Sequence, residues 1–198
     1  MLTVNSLSGF GSRAAFAPPF TNIQSDDWES GSASYATLGD GTVRMTALDR
    51  NVHTSLTFIA ADEDFDFQAT YLDSSTSYII MGWGDAGTSN TAGNPDLTAP
   101  NPHTQDFGNP GYKRGNNVFE TTPSAGWMSN RVNGISRRGN VFYGMADGVV
   151  EHTWNSANNT TAAGMLFFGQ GGGNLWTFVA TDVQYRKAAA GGLPALAT

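Results

Sequence analysis

The segment ADEDFDFQATY, residues 61–71, sets Asp62, Asp64 and Asp66 two positions apart. On a β-strand alternate side chains share a face, so three carboxylates would stand on one side and Phe65 and Phe67 on the other. Paired carboxylates are the equipment of glycoside hydrolysis, in which one protonates the leaving oxygen while the other attacks or activates water. A retaining site needs its two carboxyls about 5–5.5 Å apart. Four strand steps from Asp62 to Asp66 span roughly 13 Å. Asp62 also falls where a turn should precede the strand. The segment is therefore expected to supply no catalytic residue, and its acidic side is expected to face water and discourage edge pairing.

Other residues suit binding. Asp85, Asn90, Asn94 and Asp96 offer hard oxygen ligands within twelve residues, and Ca²⁺ takes six to eight such ligands on a flexible loop. Their spacing follows no fixed motif, and Asn and Asp serve turns equally well. Tyr112 and Trp127 lie in or beside the same polar region, where an aromatic face could stack on a sugar ring. Trp83 and Trp154 read as core. His53, His103 and His152 are isolated along the chain, so a histidine metal site would have to assemble across strands. With no cysteine there is no disulfide, thiolate ligand or Cys nucleophile, and no G-x-S-x-G nucleophile elbow occurs.

The elements that must position these residues read as strands. Residues 32–38 and 42–48 flank Gly39-Asp40-Gly41, and residues 140–146 and 149–154 flank Asp147-Gly148, both hairpin signals. Residues 52–60 alternate with Leu56, Phe58 and Ala60 on one face, and residues 65–72 with Phe65, Phe67, Ala69 and Tyr71 inward. Residues 77–83 are apolar on both faces, as in a central strand. No helix of three turns is evident. Residues 84–116 form a Gly/Asn/Pro/Thr-rich stretch too long for a plain connection, and such loops are often functional. Residues 1–22 read as an extended arm, 23–187 as the folded body, and 188–198 as a low-complexity tail.

Bulk properties narrow the function. The chain has 198 residues and a net charge of −7, which argues against nucleic acid as a partner; the pairs Lys113-Arg114 and Arg137-Arg138 do not reverse that. No apolar run approaches the length of a membrane-spanning helix, and no Sec signal peptide is expected at the start. With 39% hydrophobic and 12% aromatic residues, the chain can build a core.

Three segments carry a resemblance. DFDFQATYLDSSTSYIIMGWG is a D-F-x-F-x-A strand with an apolar partner. GNVFYGMADGVVEHTW is a strand, Asp-Gly turn and strand. LWTFVATDVQYRKA is a closing Trp-to-Asp-Val strand. Together they resemble the concanavalin A-like lectin/glucanase sandwiches, including laminin G-like domains, over about residues 26–187. The resemblance implies an all-β antiparallel β-sandwich or jelly roll, with Ca²⁺ often held near its loops. Glucanases of that fold carry a Glu-x-Asp-x-Glu type strand motif with outer glutamates as nucleophile and acid/base. Here the outer positions are the shorter Asp62 and Asp66, a departure that weighs against the activity.

The low charge, the Gly/Asn/Thr-rich composition and the arm-like ends are also similar in style to bacteriophage virion proteins. The resulting expectation is a non-enzymatic virion module, a capsid decoration or tail/fibre component assembled in the host cytoplasm. Its arms would latch to other virion proteins or to copies of itself in a homo-oligomer, with Phe10, Phe16 and Phe20 filling pockets on the neighbour. A cell-surface glycan is a further expected partner. The alternative is a free carbohydrate-binding lectin-like protein or a glucanase-like glycoside hydrolase.

Overall fold

Alternating runs separated by Gly- and Asp-rich turns have one economical solution, antiparallel sheets packed face to face. The computed structural model describes residues 17–23, 28–29, 34–37, 43–48, 52–73, 78–85, 103–105, 111–114, 118–121, 124, 130–154, 162–171 and 175–198. The strands are β1 (Thr21–Asn22), β2 (Trp28–Glu29), β3 (Ser34–Thr37), β4 (Val43–Leu48) and β5 (Val52–Ile59). Next come β6 (Glu63–Asp73), β7 (Tyr78–Asp85), β8 (His103–Gln105), β9 (Gly111–Arg114) and β10 (Val118–Thr121). The series closes with β11 (Val132–Arg138), β12 (Val141–Ala146), β13 (Val149–Thr153), β14 (Gly164–Gly171) and β15 (Leu175–Ala189). One sheet, called the front sheet, has the order β13-β12-β11-β6-β15-β4-β3, with β1 also paired to β15. The back sheet has the order β10-β9-β8-β7-β14-β5-β2. The fold is thus an all-β antiparallel sandwich. Among the described residues no helix is long and apolar enough to cross a membrane.

Both expected hairpins form, β3 with β4 and β12 with β13. The second turns on Asp147 and Gly148, with φ of 50° and 81°. Two consecutive positive φ values define the tight turn whose twist matches the strands it joins. The inward face of β6 is as the alternation predicts, with Phe65, Phe67, Ala69 and Tyr71 all buried. Trp83 and Trp154 join the core, the Trp83 ring lying 5.0 Å from Phe142. The strand β7, expected to be central, is the middle one of its sheet.

Three expectations need correction. Phe58 is 46% exposed while Ile59 is buried. A register shift in the β5–β14 pairing lies next to them. The stretch 84–116 is not one continuous loop, because β8 and β9 fall within it and extend the back sheet. The pair Arg137-Arg138 splits across the sheet: consecutive strand residues point to opposite faces, so Arg137 is fully buried and Arg138 lies on the outer face. Residues 188–198 are not a separate tail. The strand β15 runs to Ala189, and residues 190–198 pack back across the front sheet, with Leu193 buried and Ala197 bridging Val149.

Candidate functional site

The outer face of the front sheet is built from the residues that alternate with the core. In one cross-strand row Ser136 of β11, Asp66 of β6 and Arg186 of β15 are direct register partners. In the next row the partners are Gly134, Gln68, Gln184 and Asn22, from β11, β6, β15 and β1. The carboxamides of the second row form a chain: Gln68 Nε2 donates to Gln184 Oε1 at 3.2 Å, and Gln184 Nε2 donates to Asn22 Oδ1 at 2.6 Å.

The carboxylates on this face do not stand in water, contrary to the expectation from sequence. Asp64 is 2% exposed and Asp66 6%. Asp64 Oδ1 accepts the Gly139 N–H at 2.7 Å, and Oδ2 accepts the Gly191 N–H at 2.8 Å. Asp66 Oδ1 accepts from the Ser136 hydroxyl at 2.6 Å and lies 2.9 Å from Arg138 Nη2, a close ion pair off-line for a hydrogen bond. Asp66 Oδ2 accepts from Arg186 Nε at 2.7 Å. Buried carboxylates need such partners, since an unpaired charge is costly to bury. Each carboxyl oxygen of Asp64 and Asp66 is therefore engaged. Asp62 lies in the turn before β6 and is exposed.

Residues 190–198 act as a strap. The chain reverses at Gly191, where φ is 78°, a conformation that favours glycine. It then crosses the sheet, held by Arg138 Nε donating to Pro194 O at 3.1 Å and Val150 N to Ala197 O at 2.8 Å. Beside the strap is a cavity of about 300 Å³, walled by Phe20, Met145 and Pro194 and floored by Gln68, Ser136 and Arg186. Phe20 packs on its own body, with the Arg186 guanidinium 4.5 Å from its ring centre. A second cavity of about 500 Å³ lies on the far side of Arg138, under Leu193 and Leu196.

A separate polar cluster clasps the two sheets along one edge. The β12–β13 register steps from Gly144↔His152 to Met145↔Val150, leaving Glu151 as an extra residue. The bulge re-aims Glu151 and His152. Glu151 accepts from the Tyr112 hydroxyl at 3.1 Å, pairs with Arg131 at 2.8 Å and accepts from the Ser124 hydroxyl. His152 stacks on Tyr112 with centroids 5.5 Å apart, meets Trp154 edge-on, and pairs with Glu120 at 2.9 Å. Burial holds the His152 pKa below its ordinary 6.5, outweighing the hydrogen bond and charge of Glu120. Burial would raise Glu151, but Ser124, Arg131 and Tyr112 together hold it below its ordinary 4.5. Burial and the adjoining Glu151 carboxylate raise the Tyr112 hydroxyl far above its usual range.

The His152 and Glu151 shifts have the same consequence on acidification. The unfolded chain takes up the His152 proton more readily than the folded one, so stability falls as pH drops below 6.5. The Glu151 contribution, present above 4.5, is lost as pH falls below that value. Melting temperature measured from pH 7.5 to 4 should fall in both windows. His152→Gln should flatten the upper window and spare the lower. An upper window identical in wild type and variant would disprove the assignment to His152.

Tyr112, expected as a sugar-stacking residue, is fully buried, so neither face of its ring can meet a sugar. Its ring packs where a Gly144 side chain would stand, with a Cβ there only 2.3 Å from Tyr112 Cδ1. Trp127, Phe10, Phe16, Asn90, Asn94, Asp96 and the side chain of Asp85 lie outside the described residues. Among the described residues no cluster of three His, Asp or Glu side chains could hold a metal ion. The residues that form the cavity, Gln68, Arg138, Arg186 and Phe20, are scattered through the sequence. The one available signal for them is the outward phase of strands whose inward phase is apolar.

No family model matches the chain, and no curated protein matches it. Its fold is similar to solved structures. One is a protein of unknown function with a galectin-like fold from Bacillus subtilis, at TM-score 0.55 and 9% identity, covering 83% of this chain and 91% of that one. Another is a glycosidic hydrolase, at TM-score 0.53 and 15% identity, covering 90% and 97%. A third is the alginate lyase from Corynebacterium sp., at TM-score 0.51 and 8% identity, covering 82% and 83%. Identities this low carry the fold alone. They support the concanavalin A-like sandwich and lend nothing to a virion setting.

Proposed function

We propose that this protein binds carbohydrate in the 300 Å³ groove on the outer face of the front sheet. The observation that carries the reading is the carboxamide chain Asn22–Gln184–Gln68, which ends at an aromatic-walled groove. A carboxamide presents a donor and an acceptor together, which suits the hydroxyls of a sugar. The Oε1 atom of Gln68 has no donor among the described residues, and the relay behind it fixes its orientation. Phe20 supplies the apolar wall that a sugar ring face requires. The volume suits a single sugar unit at the small end of ligand pockets. Likeness to a glycosidic hydrolase and a lyase agrees with a glycan ligand, without specifying the chemistry.

In this reading the acidic strand supports binding and performs no hydrolysis. A general acid must give up a proton and a nucleophile must present a lone pair. The Asp64 and Asp66 oxygens are occupied by backbone N–H groups, a hydroxyl and guanidinium groups. Asp66 instead orients Arg186.

Calorimetric titration with oligosaccharide panels tests the reading. Gln68→Ala should weaken binding of a recognised tetrasaccharide about tenfold, the equivalent of ~1.4 kcal/mol, with the melting temperature little changed. Phe20→Ala should weaken it further by removing the wall. Affinity unaltered in both variants would place the ligand elsewhere. Release of reducing sugar by wild type that disappears in Asp66→Asn would overturn the non-hydrolytic reading.

A further inference from the structure

Arg186 is held by two contacts that fix its orientation. Its Nε donates to Asp66 Oδ2 at 2.7 Å, and its guanidinium lies 4.5 Å from the Phe20 ring centre. These two contacts fix the plane and rotation of the group. They use the Nε edge and one face, and leave the end bearing the two terminal nitrogens. Those nitrogens have no partner among the described residues, although the side chain is only 20% exposed and lines the groove. The neighbouring Arg138 is spent on its own fold. Its Nε donates to Pro194 O, its Nη1 to Phe65 O and Arg137 O, and its Nη2 faces Asp66 Oδ1.

The charges at the groove do not cancel. Arg138 and Arg186 contribute two positive charges against the single carboxylate of Asp66. Asp64 is turned to the Gly139 and Gly191 amides and lines the second cavity instead. Among the groove-lining residues, positive charge thus exceeds negative by one, with Arg138 shared with the second cavity, in a chain whose net charge is −7. A neutral sugar would leave the Arg186 fork partly desolvated with nothing to match it. A planar carboxylate accepts two parallel N–H bonds from such a fork, at roughly twice the strength of a neutral hydrogen bond.

We propose that the groove selects an acidic sugar, a uronate whose carboxylate seats on the terminal nitrogens of Arg186 while Gln68 takes a ring hydroxyl. This inference rests on the carbohydrate reading above and names the ligand class within it. Asp66 and Phe20 act as positioning residues for Arg186. Asp66 holds the guanidinium by its far edge, so the fork meets the ligand already oriented, and little side-chain entropy is lost on binding.

The experiment compares tetragalacturonate and tetramannuronate with the methyl esters of the same oligosaccharides, and with neutral cello- and galacto-tetraose, by calorimetric titration. A methyl ester removes the charge and keeps the sugar, so the contrast needs no change in the protein. At least one free acid should bind ten-fold or more tighter than its ester, with an affinity that falls as salt rises. Arg186→Gln should reduce the acid to the level of the ester. Arg186→Lys, which keeps the charge but lacks the fork, should recover only part of the difference. Equal binding of acid, ester and neutral sugar would overturn the acidic-sugar assignment and leave the carbohydrate reading standing. Tighter binding of a sulfated galactan tetrasaccharide than of any uronate would also overturn it. Binding of none of these oligosaccharides would overturn both.

Discussion

Replacing Arg137 by methionine should destabilise the protein by on the order of 4 kcal/mol, a large share of the 5–15 kcal/mol typical of a domain. The side chain is fully buried between the sheets. Its Nε donates to Glu63 O at 3.0 Å, Nη1 to Ala162 O at 2.7 Å and Nη2 to Ala60 O at 2.6 Å. The guanidinium also lies 5.7, 5.8 and 6.0 Å from the ring centres of Phe65, Trp83 and Phe142. Among the described residues no carboxylate touches it; burial lowers its pKa, and the more distant Asp64, Glu63 and Asp62 oppose that. Methionine fills similar space but donates nothing; Ala60 O keeps the Glu63 N–H at 3.2 Å, while each buried carbonyl left unmatched costs about 1–3 kcal/mol. Arg137→Lys should fall between wild type and methionine, because one ammonium cannot reach three carbonyls fixed for a fork. Urea denaturation midpoints would decide the matter. A loss below about 1 kcal/mol for the methionine variant would show that Arg137 is no tie between the sheets.

Replacing Gly164 by alanine should cost about 3 kcal/mol, at the upper end of the range for an overpacked core. A Cβ built there would lie 2.3 Å from Gly84 O and 2.5 Å from Trp83 Cε2. The first atom is backbone on the paired strand β7, and the second belongs to the indole packed on Phe142. Neither is the end of a flexible side chain, so the strands must separate or the indole must leave its place. Thermal and urea unfolding would both register the loss, and the tryptophan fluorescence of the folded variant should shift. A melting temperature within about 2 °C of wild type would mean that β7 and β14 yield far more readily than their packing implies.

What was legible in the sequence follows a physical divide. Strands whose inward phase is apolar announce themselves: the face Phe65, Phe67, Ala69 and Tyr71 places β6, and the Asp-Gly turn places β12 and β13. By contrast, β11 is silent, because VNGISRR turns Asn133, Ile135 and Arg137 inward, two of them polar. Only contacts far along the chain make that face tolerable, such as Arg137 with Ala60, Glu63 and Ala162. The same limit hides the groove. The spacing of Asp64 and Asp66 is that of a solvated strand, since nothing near them shows that Arg186, 120 residues on, will neutralise Asp66. Tyr112 looks accessible in a polar segment, yet Gly144 has no side chain, and that absence admits its ring to the core.

The strand β15 lies between β6 and β4 in the front sheet and is the last strand in chain order. A ribosome delivers every other strand first. Until β15 emerges, the front sheet exists as two pieces, β13-β12-β11-β6 and β4-β3, each with an unpaired edge where β15 will insert. Open edges of this kind are templates for association with other chains. Vectorial synthesis therefore exposes the nascent polypeptide to aggregation until β15 emerges, and a chain stalled before Leu175 cannot close its front sheet at all.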